Sequence, residues 1–144
     1  MTIDPAGYSG TPLPKKLGIK PGHRVRFVAA PPEFALALGE LPAEVDVLGD
    51  GDAGAGDLDL MVFFTMSEEE LRGRYDGLAG SLRPAGMLWV AWPKKASGVR
   101  TDVTEDVVRA VALERGMVDT KVCAIDATWS GLKLVRRVAD RPKR

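Results

Sequence analysis

The chain is poor in sulfur and imidazole: its 144 residues include one cysteine, Cys123, and one histidine, His23. A single cysteine excludes an internal disulfide and any cysteine-rich metal site, and a single histidine excludes a histidine pair on one metal, so no metal is expected. Long apolar runs are also missing. The longest, 60–65 and 87–92, are strand-sized, well short of the roughly 18 residues that a membrane span needs. The start, Met1-Thr2-Ile3-Asp4-Pro5, has neither a basic nor an apolar stretch, which predicts no secretory signal. These absences together set a reducing cytoplasm as the expected compartment. The chemistry-bearing patterns missing from the chain are a serine nucleophile elbow, a glycine-lysine phosphate loop and a glycine-rich dinucleotide fingerprint.

What is present is the balance of a globular domain with a real core: 45% hydrophobic and 28% charged residues, in a length that suits one domain. The formal net charge is zero but unevenly spread, with 13 acids against 8 bases in residues 1–83 and 7 acids against 12 bases in residues 84–144. Between Phe27 and Leu71 there are 11 acids and no base, whereas five bases and one acid lie from Arg136 onward. Two readings stand: solvated or mutually attracting faces, or a basic tail for phosphates. The neutral total and the lack of aromatics in that tail argue against nucleic acid.

Along the chain, residues 1–10 read as a loose arm. Thr11-Pro12 reads as a cap followed by a helix-starting proline, with Leu13 and Leu17 on one face and Gly18 as the stop. A first strand follows over 24–30, a short helix over 32–38, and a second strand over 44–48. The stretch 49–57 is glycine- and aspartate-rich and reads as a loop. A third strand, 57–65, is apolar on both faces and therefore covered on both sides. Ser67 with Glu70 forms a capping-box pattern, and Leu71, Tyr75, Leu78 and Leu82 make one apolar helical stripe. Pro84-Ala85-Gly86 reads as a turn into a fourth, two-sided strand over 87–92. After the 93–98 loop, Thr101 or Thr104 caps a helix that buries Val103, Val107, Val108 and Val111. Strands over 118–127 and 132–138 form a closing hairpin, and residues 139–144 are a frayed basic tail.

Helical crossovers between apolar strands require a parallel sheet. The prediction is one α/β domain over 1–144: a reduced Rossmann-like three-layer sandwich with a C-terminal antiparallel hairpin. The expected strand order is 2-1-3-4-6-5, with strand 6 antiparallel.

The segment Leu82-Arg83-Pro84-Ala85-Gly86-Met87-Leu88-Trp89-Val90, with the strand and helix before it and the hairpin after Gly116-Met117-Val118-Asp119, resembles the later half of Rossmann-like class I methyltransferases. That resemblance implies a glycine-rich cofactor turn after the first strand. Here the corresponding segment is Ala29-Ala30-Pro31-Pro32-Glu33-Phe34, without glycine and with two residues that lack an amide donor. No S-adenosylmethionine site, and no cofactor of any kind, is therefore expected. A wider resemblance rests on Tyr8-Ser9-Gly10-Thr11-Pro12-Leu13, Lys15-Lys16-Leu17-Gly18, Trp92-Pro93-Lys94-Lys95, Ser97-Gly98, Thr101-Asp102 and the run from Val118 to Leu132. It is similar to a bacterial family of short single-domain proteins of unknown function, and it implies no particular activity.

Two segments are candidate sites. The loop after the fourth strand brings Lys94, Lys95, Ser97, Arg100, Thr101 and Asp102 to the sheet edge where open α/β folds bind ligands. Cations and hydroxyls there would suit a phosphate or carboxylate, against the plainer reading of a solvated loop. In the hairpin, Asp126, Trp129 and Ser130 form an interaction candidate, against the plainer reading of a turn with Trp129 packed on the edge. Regular alternation would put Asp119, Lys121 and Cys123 on one face. Cys123 reads as a small buried hydrophobe and His23 as polar surface. Asp50, Asp52, Asp57 and Asp59 invite a calcium loop, but Met61 stands where a glutamate is needed. The expectation is a non-catalytic domain that binds a protein partner, through Trp92 or Trp129 as anchor, or a small anionic ligand. The alternative is a small enzyme on a methyltransferase-like fold that grips an anionic substrate through Lys94 and Lys95 and uses Asp102 or Asp126 as acid or base.

Overall fold

The computed structural model describes residues 11–49 and 56–141. The expected N-terminal arm, most of the glycine-aspartate loop with Asp50 and Asp52, and the last three residues of the basic tail lie outside them. The elements run α1 (Leu13–Leu17), β1 (Arg24–Val28), α2 (Phe34–Leu38), β2 (Asp46–Leu48), β3 (Leu58–Phe64), α3 (Glu68–Ala79), β4 (Leu82–Pro93), α4 (Glu105–Glu114), β5 (Met117–Ala124) and β6 (Trp129–Arg136), with 3-10 turns at Lys95–Ser97 and Val138–Asp140. The expected tail therefore begins with an ordered turn, and the Arg141 side chain donates to the Arg136 carbonyl at 3.2 Å.

The six strands form one sheet in the order β2-β1-β3-β4-β6-β5. β2, β1, β3 and β4 are parallel, and β6 runs antiparallel to both β4 and β5. This is the expected Rossmann-like α/β sandwich. Its layers follow from the side chains. Alternate residues of β3 go to opposite cores: Met61 and Phe63 pack with α3 and α4, while Leu60, Val62 and Phe64 pack with α1 and α2. A strand buried on both faces has nowhere to place polar side chains, which is why β3 and β4 read as unbroken apolar runs.

Local chemistry sets the helix boundaries. The Ser67 hydroxyl accepts from Glu70 N at 3.1 Å, and Glu68, Glu69 and Glu70 occupy the first turn of α3, where the dipole favours acids. The capping box is not reciprocal, because the Glu70 carboxylate takes the Thr65 hydroxyl instead, at 2.6 Å. Thr104 caps α4, accepting from Val107 N at 3.2 Å. Gly18 ends α1 at φ 91°, a conformation that a side chain disfavours.

Two irregularities overturn expectations. The predicted turn at Pro84-Ala85-Gly86 lies inside β4: Leu82 pairs with Leu58 and Met87 with Leu60, so the residues between bulge out of the ladder. Gly86 is needed there, since a Cβ would lie 2.9 Å from the Leu58 carbonyl. In β5, Asp119 pairs with Leu134 but Lys121 with Lys133, so Thr120 is an extra residue. The bulge flips the alternation. Asp119 faces α4 and accepts from Arg109 Nε at 3.1 Å, whereas Lys121 faces α1 and donates to the Lys16 carbonyl at 3.3 Å. The three side chains at 119, 121 and 123 therefore do not share a face. Among the described residues, no helix is long and apolar enough to cross a membrane.

Candidate anion-binding cleft at the sheet edge

β4 ends at Pro93, and the chain after it is stitched to its neighbours before α4 begins. Lys94 N donates to the Thr128 carbonyl of the β5–β6 connection at 2.7 Å. Ser97 closes a tight turn, its hydroxyl donating to the Lys94 carbonyl at 2.6 Å and accepting from Val99 N at 3.2 Å. The Thr101 hydroxyl donates to the Met66 carbonyl at 2.7 Å and accepts from Val103 N at 3.0 Å. Asp102 accepts from Glu68 N, the first residue of α3, at 2.8 Å.

Together these bonds shape a cleft of about 540 Å³. Trp92, Pro93, Val99 and Val103 form its apolar wall; Lys95, Arg100, Thr101 and Thr104 supply its polar lining. The sequence grouped six loop residues as one ligand site, and the structure divides them by role. The Ser97 and Thr101 hydroxyls each donate their one hydrogen bond to a backbone carbonyl, so neither is left to donate to an anion. Asp102 caps α3. The cations remain. Lys95 and Arg100 line the cleft and are exposed, while Lys94 begins the loop half-buried and lies outside the lining. Among the described residues, Arg100 is the only arginine with no ion pair, hydrogen bond or ring contact; others are held by carboxylates, carbonyls or a phenyl face. Neither Lys94 nor Lys95 has an ion pair among those residues. The cations sit at a sheet edge where an anion would be their first counter-charge.

The hairpin candidate resolves into structure. Asp126 accepts from Thr128 N and Trp129 N, both at 2.8 Å, which closes the connection as an Asx turn. Trp129 is 8% exposed, and its ring meets Phe64 edge-on at 5.2 Å. Trp92 is 7% exposed. Neither tryptophan projects from the surface as an exposed anchor would. The cause lies in the β4–β6 register, which sets Trp129 opposite Pro93 and turns its ring onto the α1/α2 core. Ser130, half-buried, pairs with Trp92 and Ala124 inside the sheet.

The turn after β1 bears on a nucleoside cofactor. Ala29 takes φ 58°, a left-handed bend of the kind glycine usually provides. Past it, Pro31 and Pro32 have no N–H, and Phe34 N is bonded to the Pro31 carbonyl at 3.0 Å. The Phe34 ring packs edge-on against Phe27 at 5.1 Å and Phe64 at 4.8 Å, within the core on the α1/α2 side. A helix N-terminus can cradle a ligand only with free amides and room for close approach. With two prolines and Phe34 N already engaged, this turn offers few free amides to such a ligand.

The geometry missed by the sequence reading is the use of donors. The Thr101 hydroxyl is taken by Met66, 35 residues away along the chain, and no local pattern reports that partner.

No family model matches the chain, and no curated protein does. Solved structures match its fold. A protein described as a type 11 methyltransferase from Sulfolobus solfataricus superposes with TM-score 0.64 at 14% identity, over 92% of this chain and 94% of the other. A SAM-dependent methyltransferase from Aquifex aeolicus gives 0.58 at 16% identity, over 83% and 85%. Magnesium protoporphyrin IX methyltransferase from Synechocystis, solved with SAM, gives 0.54 at 13% identity, over 87% and 74%. At these identities the likeness is one of fold, and the fold is that of the methyltransferase Rossmann-like domain.

Proposed function

We propose that the chain is a non-catalytic domain that binds a small anionic ligand in the cleft between the end of β4 and the start of α4. The observation that carries this reading is Arg100, an arginine without a protein partner beside Lys95 over an apolar wall. A planar guanidinium suits a carboxylate or phosphate, which it can take through two parallel hydrogen bonds. Trp92, Pro93, Val99 and Val103 would receive a compact apolar body attached to that anion, the usual division of labour in small-molecule sites.

The enzyme alternative has support from the methyltransferase-like fold alone. Against it stand the turn after β1 and the two carboxylates once cast as acid or base: Asp102 and Asp126 both hold backbone N–H groups in place. A protein partner has less support, since its two tryptophan anchors are buried.

The test is native mass spectrometry and calorimetric titration against a panel of small carboxylates and phosphate esters, with S-adenosylmethionine included. A hit from the panel should lose roughly 10- to 100-fold in affinity in Arg100→Ala, the range for a charge-assisted bond. S-adenosylmethionine should leave the protein unshifted. Binding that Arg100→Ala and Lys95→Ala leave intact would remove the cleft from consideration, and tight S-adenosylmethionine binding would favour the enzyme.

A further inference from the structure

The hairpin face turned toward α1 carries a charge arrangement that the cleft does not use. Lys121 of β5 and Lys133 of β6 are direct Cα partners in the antiparallel ladder. Side chains in that relation stand about 5 Å apart at Cβ, and like charges placed so destabilise a sheet. Neither lysine has an ion pair among the described residues. Lys121 Nζ donates to the carbonyl of Lys16, and Lys16 Nζ reaches across to the Ala124 carbonyl at 3.1 Å, which brings a third ammonium to the same face.

Among the described residues, the acids of the hairpin are turned away from Lys121 and Lys133. Asp119 is swung to the opposite face by the Thr120 bulge and held by Arg109; Asp126 is engaged by the hairpin turn. Cys123, on the same side as Lys121 and Lys133, is buried and its thiol is pushed up by that burial, so it stays neutral and adds no negative charge. Lys133 is drawn below the ordinary lysine range, by burial first and by Lys121 second. The face therefore gathers positive charge at the one place where the ladder would favour opposite signs.

We propose that this face is a second ligand site, in which Lys121 and Lys133, with Lys16 beside them, hold a phosphate-type dianion. Two ammonium groups directly opposite one another match a dianion in charge, and each offers rotatable donors that suit a phosphate oxygen without demanding a fixed geometry.

The experiment compares melting temperatures in sodium phosphate and in sodium chloride at equal ionic strength and pH 7.5. Matched chloride screens the lysine repulsion equally, and the general salting-out effect of phosphate acts on the wild type and the variants alike, so the part of the excess shift that the lysine variants lose reports binding. The wild-type chain should gain roughly 2–6 °C more in phosphate at ten times Kd. Lys133→Met and Lys121→Met keep the aliphatic stem but remove the charge. Both should lose that excess, and both should melt above the wild type in low-salt buffer without phosphate. Arg100→Ala should retain the excess, which separates this site from the cleft. No excess in the wild type, or an equal excess in the two lysine variants, overturns the proposal.

Discussion

The Asp102 carboxylate lies 2.8 Å from the backbone nitrogen of Glu68, so the loop that follows β4 caps the helix that follows β3. The cap comes from 34 positions away along the chain, in addition to the local one from Ser67. Replacing Asp102 with alanine should cost about 1 kcal/mol, the ordinary worth of an N-terminal cap. Urea denaturation would measure it, and Asp102→Asn, which keeps the acceptor oxygen, should restore most of the loss. An alanine variant with unchanged stability would show that Ser67 suffices.

Trp129 is a core residue, and its removal should read as one. Trp129→Ala should destabilise the fold by about 3–5 kcal/mol, the range for deleting a large buried aromatic ring. Near-UV circular dichroism with a denaturation midpoint gives the measurement. A variant that kept the wild-type midpoint while losing a binding function would restore Trp129 as a surface anchor.

Ala29 and Gly18 make a matched pair of opposite sign. Ala29 sits at φ 58° where glycine costs nothing, so Ala29→Gly should stabilise by about 0.5–1 kcal/mol. Gly18 sits at φ 91° with Met87 Sδ 3.3 Å from where a Cβ would stand, so Gly18→Ala should destabilise by more than about 1 kcal/mol. Thermal melts of the two variants decide both. If Ala29→Gly lowers the melting temperature, the bend is not strained in the folded protein.

Acid should act through Asp59. Burial alone would raise its pKa, but Arg24 N, the Arg83 side chain and the nearby charge of His23 together hold it below the usual carboxylate range. A carboxylate with a depressed folded-state pKa stabilises the protein above its unfolded value and loses that contribution as the pH falls through the folded one. Stability should therefore drop as the pH goes below about 4, and Asp59→Asn should flatten the decline. The check is a series of melts from pH 6 to pH 2; parallel curves for the two proteins would discard Asp59 as the acid-sensitive group.

The parts of this fold that could be read ahead share one property: their signal is local and periodic. Apolar runs at 60–65 and 87–92 marked the central strands, and parallel connections through helices left few sheet orders to choose from. Asp119, Lys121 and Cys123 show where that stops. Alternation places all three together, and one extra residue at Thr120 separates them, because a bulge is a matter of pairing and leaves no mark in composition. The same holds at the cleft. Lys95 and Arg100 were legible as cations at a sheet edge, but Ser97, Thr101 and Asp102 resemble ligand donors until their partners in space are known. Trp129 misled for a related reason: a tryptophan beside a turn can face either way, and only the pairing with Pro93 decides which.

The position of β6 has a consequence for assembly during synthesis. The ribosome delivers β4 and β5 before it, yet β6 lies between them. Until Arg136 has emerged, β4 has an open edge and β5 has no neighbour to pair with, so the nascent chain carries two unsatisfied ladders at once. Long-range pairing of this kind slows folding and leaves strand edges open to other chains. The Asx turn at Asp126 joins β5 to β6 locally, so the two can pair as a hairpin whose β6 edge then closes the sheet on β4.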